Sequence, residues 1–231
     1  MKRYASRIVP FAALLIMTAS AHAGTYYRFE LYGAVNIPMD KTFEIGLPQS
    51  TVPLDGDFEF SPGIRGGVRV GVDGLGHWGQ DMSYSYGINA SKIAVAQNGD
   101  FAFTSRSHQF AYNVLYYPGG VGTNRVLPYV TAGAGGTIFT LSQASINEAL
   151  TQGLGNLKTH TSFTFNVGGG VRYQFNKNVG IRVDVRDWMS HPPRYGIPAS
   201  SDDPTVFVFP VNGVFQQVEA SVAFVYCLRS K

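Results

Sequence analysis

Residues 163–188, read as FTFNVGGGVRYQFNKNVGIRVDVRDW, alternate apolar and polar side chains almost without interruption. Phe163, Phe165, Val167, Gly169, Val171, Tyr173 and Phe175 fall on one face of an extended chain; Thr164, Asn166, Gly168, Gly170, Arg172 and Gln174 fall on the other. The second arm repeats the pattern, with Ile181, Val183 and Val185 against Arg182, Asp184 and Arg186. A period of two describes a strand whose faces meet different surroundings, and a helix would scatter both sets around its axis. Asn176-Lys177-Asn178 predicts a tight turn, because Asn tolerates the left-handed backbone that such turns use. The arms exceed the usual strand of about five or six residues, and their apolar faces end in aromatics. That suits a wall with lipid on one side and a crowded polar interior on the other.

Six more segments carry the same alternation. Residues 27–35 set Phe29, Leu31 and Val35 against Arg28, Glu30 and Tyr32, and residues 64–72 set Ile64, Val68, Val70 and Val72 against Arg65, Gly67, Arg69 and Gly71. Residues 78–88 oppose Trp78, Met82, Tyr84 and Tyr86 to Gly79, Asp81, Ser83 and Ser85; residues 109–117 oppose Phe110, Tyr112, Val114 and Tyr116 to Gln109, Ala111 and Asn113. Residues 128–139 show a weak apolar face of Val130, Ala132, Ala134 and Ile138. Residues 217–226 end the series, with Val218, Ala220, Val222, Phe224 and Tyr226 against Gln217, Glu219 and Ser221.

Eight strands result, and their connections alternate in length. Residues 36–61, 89–107, 140–162 and 189–214 are long, the first and last interrupted by prolines that a central strand excludes. Residues 73–76, 118–127 and 176–178 are short, and residues 142–152 within the third long connection predict a short helix. An up-and-down antiparallel meander puts all long connections at one rim and all short ones at the other. In lipid such a sheet must close, because each unpaired edge amide costs several kcal/mol. Membrane barrels carry their short turns on the periplasmic side and their long loops outside the cell. That orientation brings Tyr27, Trp78, Tyr116, Phe175 and Tyr226 to the periplasmic interface as an aromatic girdle, at the depth where a ring is buried while close to water. Eight strands leave an interior that side chains fill, and the inward glycines Gly67, Gly71, Gly79, Gly168 and Gly170 leave room for long arginines.

Residues 1–23 read as a signal peptide. Lys2, Arg3 and Arg7 precede an apolar run too short to span a bilayer, and Ala21-His22-Ala23 supplies a small-x-small cleavage pattern. Residues 24–231 then form one barrel domain. The formal charge of +3 includes the three basic residues of the leader, so the remainder is near neutral and nothing points to nucleic acid. Cys227, the single cysteine, excludes an internal disulfide framework and stands just past the last strand.

The stretch GGGVRYQFNKNVGIRVDVRD resembles strands six and seven of OmpA-like barrel proteins, in which a Gly-x-x-Tyr-x-Phe arm, a short polar turn and an Arg-x-Asp-x-Arg arm recur. The layout of the whole chain is similar to the small OmpA-like and OmpX-like outer-membrane β-barrels. That resemblance implies an all-β, eight-stranded transmembrane barrel in the cell outer membrane of a Gram-negative envelope. It implies contact with outer-membrane lipid and lipopolysaccharide, insertion by the barrel-assembly machinery and a monomeric state; as a departure from the family, the stop shortly after the last strand predicts no peptidoglycan-binding domain. Family members commonly end on an aromatic; here Tyr226 is followed by Cys-Leu-Arg-Ser-Lys.

The polar faces place Arg28, Arg65, Arg69, Arg172, Arg182 and Arg186 in one lumen with Glu30, Asp81, Asp184 and Glu219. Charges withdrawn from water must be paired and hydrogen-bonded, which makes this set a structural ion-pair plug or, if the pairs switch, a narrow gated path. Glu219 neighbours strand seven, so Arg182 or Arg186 is its expected partner. A catalytic alternative would use His108, His160, His191 and Asp202-Asp203 near the long-loop rim, as outer-membrane hydrolases or acylases do. Their spacing matches no such motif, and no residue set implies a cofactor or metal. Apolar loop residues (Phe43, Ile45, Leu47, Phe101, Phe103, Phe207, Phe209) either pack on one another or meet an extracellular ligand. A secreted lipocalin-like barrel would have the same strand number with its faces exchanged.

Overall fold

The computed structural model describes residues 25–39, 42–45, 56–95, 99–122, 124–151, 157–203, 206, 208–210 and 213–229. In chain order the elements are β1 (Tyr26–Pro38), β2 (Thr42–Ile45), β3 (Gly56–Asp73), β4 (Trp78–Val95), β5 (Gly99–Tyr116), β6 (Val126–Leu141), α1 (Gln143–Thr151), β7 (His160–Gln174), β8 (Val179–Ser190) and β9 (Phe215–Arg229). From β3 to β9 each strand pairs antiparallel with the next, and β1 pairs with both β9 and β3. Eight strands thereby close on themselves. β2 stands outside the ring, paired to the first residues of β3. Closure leaves no strand of the ring with a free edge, which is what lets a sheet cross hydrocarbon. The segment 1–23 lies outside the described residues, as do Leu47, Pro48, Pro53 and Phe207.

The wall sorts by parity. Leu31 (66 % exposed), Ile64 (67 %) and Phe163 (58 %) face outward, whereas Arg28 and Arg186 point inward and are 0 % exposed. An exchanged-face, lipocalin-like barrel is therefore ruled out: its charged residues would be outside. The short connections, 74–77, 117–125 and 175–178, share one rim with the paired ends Tyr26 and Arg229.

Several strands run past the limits that alternation alone suggests. β4 and β5 continue to Val95 and from Gly99, with Val95 opposite Gly99, so most of residues 89–107 is paired sheet rather than loop. β3 begins at Gly56 and pairs with β4 up to Asp57, across a register shift between Phe60 and Gly63. Asn89 and Ser91 are buried inside the ring, and in the sequence the same parity turns apolar at Ile93 and Val95. There β4 is paired on both sides, by β3 and β5, while β5 before Ser105 pairs with β4 alone among the described residues. The result is a four-stranded sheet, β2-β3-β4-β5, rising above the long-loop rim.

Two local readings are corrected. Among the described residues Tyr195 is the only non-glycine with positive φ, so the β7–β8 turn does not use left-handed asparagine. Instead Asn176 Oδ1 accepts from the amides of Asn178 and Val179, each at 2.9 Å, an Asx turn. Cys227 lies within β9, buried, and its amide donates to Asn178 O at 2.7 Å. In α1 the expected helix is present, capped by Ser142 Oγ accepting from the Ser145 amide at 3.1 Å.

Candidate functional site in the lumen

The lumen is filled in layers, beginning at the short-turn rim. There Leu115, Tyr117, Val121, Leu127 and Tyr129 form an apolar floor with Tyr26 against it. Asp73 stands on that floor, accepting from Arg28 Nη1 at 2.5 Å and from Arg172 Nη1 at 2.6 Å. Arg172 reaches it from the far side of the cylinder, four strands away around the ring. Tyr117 OH accepts from Arg28 at 2.6 Å and donates to Asp73 at 3.1 Å. Asp73 was missed in the sequence because Asp-Gly reads as a turn; its pairing with Tyr26 extends β3 by one inward residue.

All ten charged residues singled out in the sequence stand above this floor or at its level, and all are buried. Arg182 donates to Glu30 Oε1 at 3.0 Å, to Asp81 at 3.2 Å and to Tyr129 OH at 2.6 Å. Arg69 donates to Asp184 at 3.0 Å and Ser221 at 3.1 Å, with its guanidinium carbon 3.8 Å from the centre of the Tyr32 ring. Charge-assisted bonds and stacking on aromatic faces are the two compensations open to a buried guanidinium. Arg186 donates to Asp184 at 2.8 Å.

Glu219 does not take the partner expected of it. Arg186 is its neighbour on β8, yet Glu219 accepts from Arg65 of β3 at 2.7 Å, across the intervening β1. The contact is diagonal: on β1 the register partner of Arg65 is Ala34, whose side chain is a single methyl, and that of Glu219 is Asn36. Arg182 reaches Glu30 diagonally in the same way across β9, where its register partner is Ala223. The inward glycines make room for more than arginine. A Cβ on Gly168 would sit 2.9 Å from Arg186 Cγ, but on Gly170 it would meet Tyr129 OH at 2.7 Å, and on Gly67 the Tyr32 ring at 2.8 Å.

Above the charges the lining turns neutral. Gln109 accepts from Arg65 at 2.7 Å and donates to Thr137 at 3.2 Å, which contacts Thr164 at 2.9 Å. Asn166 donates to Asn113 at 2.8 Å, and Asn113 to Asp81 at 2.7 Å. At the long-loop rim an aromatic layer closes the mouth. Phe60 and Phe215 pack with centroids 4.7 Å apart and Phe139 lies 6.4 Å from Phe215. Residues of the last long connection, Tyr195, Ile197, Val208 and Phe209, are buried with them. Tyr195 OH meets Ser105 Oγ of β5 at 2.6 Å, three strands round the ring from β8, so this connection spans the mouth. Burial pushes the Tyr195 phenol above its ordinary pKa.

The remaining candidates lie elsewhere. Tyr27, Trp78, Tyr116, Phe175 and Tyr226 are exposed on the outer face at the short-turn end, with Trp78 and Tyr116 centroids 5.0 Å apart. His108 is not at a loop end: it sits on the outer wall of β5, its Nδ1 3.0 Å from Tyr84 OH. His191 engages Ser162 through its backbone, its amide donating to Ser162 Oγ at 3.1 Å, and Asp202 and Asp203 are exposed. Among the described residues no group of three His, Cys, Asp or Glu is placed to hold a metal. Phe209 packs inward, whereas the side chains of Phe43, Ile45, Phe101 and Phe103 lie outside the description.

Known proteins agree with this architecture. The outer membrane protein OprG from Pseudomonas aeruginosa aligns over 90 % of this chain and 97 % of its own, with 15 % identity and a TM-score of 0.59. Neisserial surface protein A aligns over 89 % of this chain and 97 % of its own at 13 % identity with a TM-score of 0.43, too low to bear on the argument. No curated protein matches the sequence. The family model of the outer membrane protein beta-barrel domain matches residues 9–215. Since that match spans most of the sequence, this chain belongs to the outer membrane protein β-barrel domain family and is a protein of the outer membrane.

Proposed function

We propose that this protein is a sealed, non-catalytic outer-membrane scaffold that acts through what it presents outside the cell. The carrying observation is that the lumen is occupied along its length, by apolar floor, ion-pair layer, neutral polar layer and aromatic lid in turn. A constitutive pore needs an open polar path, and each of these layers interrupts one. The sheet β2-β3-β4-β5 extends beyond the ring at the long-loop rim and is the natural surface for an extracellular ligand. Tyr27, Trp78, Tyr116, Phe175 and Tyr226 fix the depth of the barrel at the periplasmic interface. The apolar band above them meets lipid, including lipopolysaccharide in the outer leaflet. We read the barrel as a monomer placed there by the assembly machinery after removal of residues 1–23.

Planar-bilayer recording of the refolded protein tests this reading. Wild type is expected to be silent, and steady conductance would overturn it. One observation favours a second reading, a gated narrow path: Glu219 is held by Arg65 while Arg186 stands beside it in register as an alternative partner. A silent wild type together with a conducting Glu219→Ala variant would select the gated path.

A further inference from the structure

The outer wall carries a cation at one height. Arg106 of β5 is exposed and shares the outward parity of His108, Phe110 and Tyr116. Among the described residues the outward faces of β4, β5, β6 and β7 hold no other lysine or arginine and no carboxylate. Arg106 and Tyr116 lie on the same strand, roughly 33 Å apart at about 3.3 Å per residue. A strand tilt of about 40° turns that length into roughly 25 Å of height, the thickness of the apolar band of an outer-membrane barrel. With Tyr116 at the periplasmic interface, as in the orientation proposed above, Arg106 stands where the headgroups of the outer leaflet begin.

Toward the bilayer centre from Arg106 the wall has an open notch. Register sets Gly136 of β6 between Phe110 and Phe163, and Ala134 between Tyr112 and Phe165. The flanking rings are drawn to other partners. Phe110 packs on Tyr84 of β4 with centroids 4.8 Å apart, and Phe163 and Phe165 pack edge to face on each other at 4.8 Å. Apart from its chain neighbours, a Cβ on Gly136 would meet only the Ser162 carbonyl oxygen, at 3.7 Å, an ordinary contact. The space over Gly136 is therefore free of side chains, and it opens on hydrocarbon. His108 stands between Arg106 and Phe110 on the same face, its Nδ1 3.0 Å from Tyr84 OH.

We propose that Arg106 and the notch below it hold one phosphorylated glycolipid of the outer leaflet, of the lipid A type, with its phosphate on the guanidinium and an acyl chain over Gly136 and Ala134. The planar donors of a guanidinium match phosphate oxygens in a paired, directional contact. On a face without carboxylates, nothing in the described wall competes for that contact. A notch left unfilled forfeits dispersion contacts along its lining, and a flexible chain restores them. The site rests on the orientation given under the proposed function and turns its general contact with lipopolysaccharide into one place on the wall.

Native mass spectrometry of the refolded protein in detergent, titrated with bisphosphorylated lipid A, tests it. One lipid A per barrel should be retained, and dephosphorylated lipid A and phosphatidylglycerol should each bind about tenfold more weakly or worse. Arg106→Gln should weaken lipid A binding about tenfold or more, because a hydrogen bond to a charged group is lost. Gly136→Leu, which fills the notch, should weaken it too, whereas Arg125→Gln at the short-turn rim should not. The heat-modifiable band confirms that each variant is folded. Absence of a retained lipid A would overturn the proposal, as would undiminished binding in either Arg106→Gln or Gly136→Leu. Equal retention of dephosphorylated lipid A or of phosphatidylglycerol would reduce the site to unspecific lipid contact and sink it. Should Arg106→Gln fail to fold, the wild-type comparison of the three lipids still decides. Bilayer conductance reports on the lumen alone, so the sealed-scaffold reading and this site fail separately.

Discussion

The lumen is closed twice, by unlike means. Its lower closure is made of strand residues, charged and bonded across the cylinder, such as Arg172 to Asp73 at 2.6 Å and Arg69 to Asp184 at 3.0 Å. Its upper closure is aromatic and held by burial, with Tyr195 and Phe209 of the last connection buried at the rim where Phe60 and Phe215 pack 4.7 Å apart. A strand residue's backbone is fixed by two ladders, so its ion pairs can exchange only by side-chain rotation inside an unmoved wall. The loop residues are held by side-chain burial and by isolated backbone bonds, Lys158 N to Tyr195 O at 2.7 Å and Phe209 N to Pro198 O at 2.8 Å, rather than by a continuous ladder. The upper closure can therefore be weakened separately from the barrel wall, whereas the charged layer belongs to the wall itself.

Substitutions in the two layers should separate these behaviours. The largest effect is expected for Asp184→Ala, which takes a carboxylate from Arg69, Arg182 and Arg186 together. Breaking a buried ion pair by removing one partner costs about 3–5 kcal/mol, and the folded band should be lost at much lower urea. If stability is unchanged, the lower layer is wetter and weaker than the contrast requires. Next comes Phe209→Ala in the lid, where truncating a buried phenylalanine costs about 3 kcal/mol or more. Here the loss should be local: protease cleavage within residues 191–214 with the heat-modifiable band retained. Global unfolding would show that the lid and barrel are one cooperative unit.

The smallest effect concerns Tyr195. Tyr195→Phe removes the hydrogen bond with Ser105 and should loosen the lid by about 1 kcal/mol, read as faster loop proteolysis. The same residue gives the lid a pH dependence. Burial raises its pKa in the folded state, so its neutral form is favoured there. Its contribution is complete below the ordinary tyrosine value of about 10 and is lost as pH rises toward the folded value. Loop proteolysis should accelerate above that pH in wild type and less so in Tyr195→Phe.

The face assignments were legible in the sequence because strand geometry leaves no choice: residues two apart share a side. Arg28, Glu30, Asp81 and Glu219 could be put inside without knowing anything of the neighbours. Strand ends were less legible. The β4–β5 hairpin looked like loop above Ile88 because its polar parity turns apolar at Ile93 where it leaves the ring, and Asp73 was hidden in a dipeptide that usually turns. Partners were not legible at all. Glu219 lies beside Arg186 in register but bonds Arg65 diagonally across β1.

Alternation along each strand, a local property, determined that this chain closes into a barrel with apolar residues outside and charges within. Which charges meet, and that the last connection folds back over the mouth, were decided only by the closed cylinder. Those contacts depend on strand tilt, on the height of each neighbouring side chain and on the reach of arginine across one or two strands, none of which a period of two encodes.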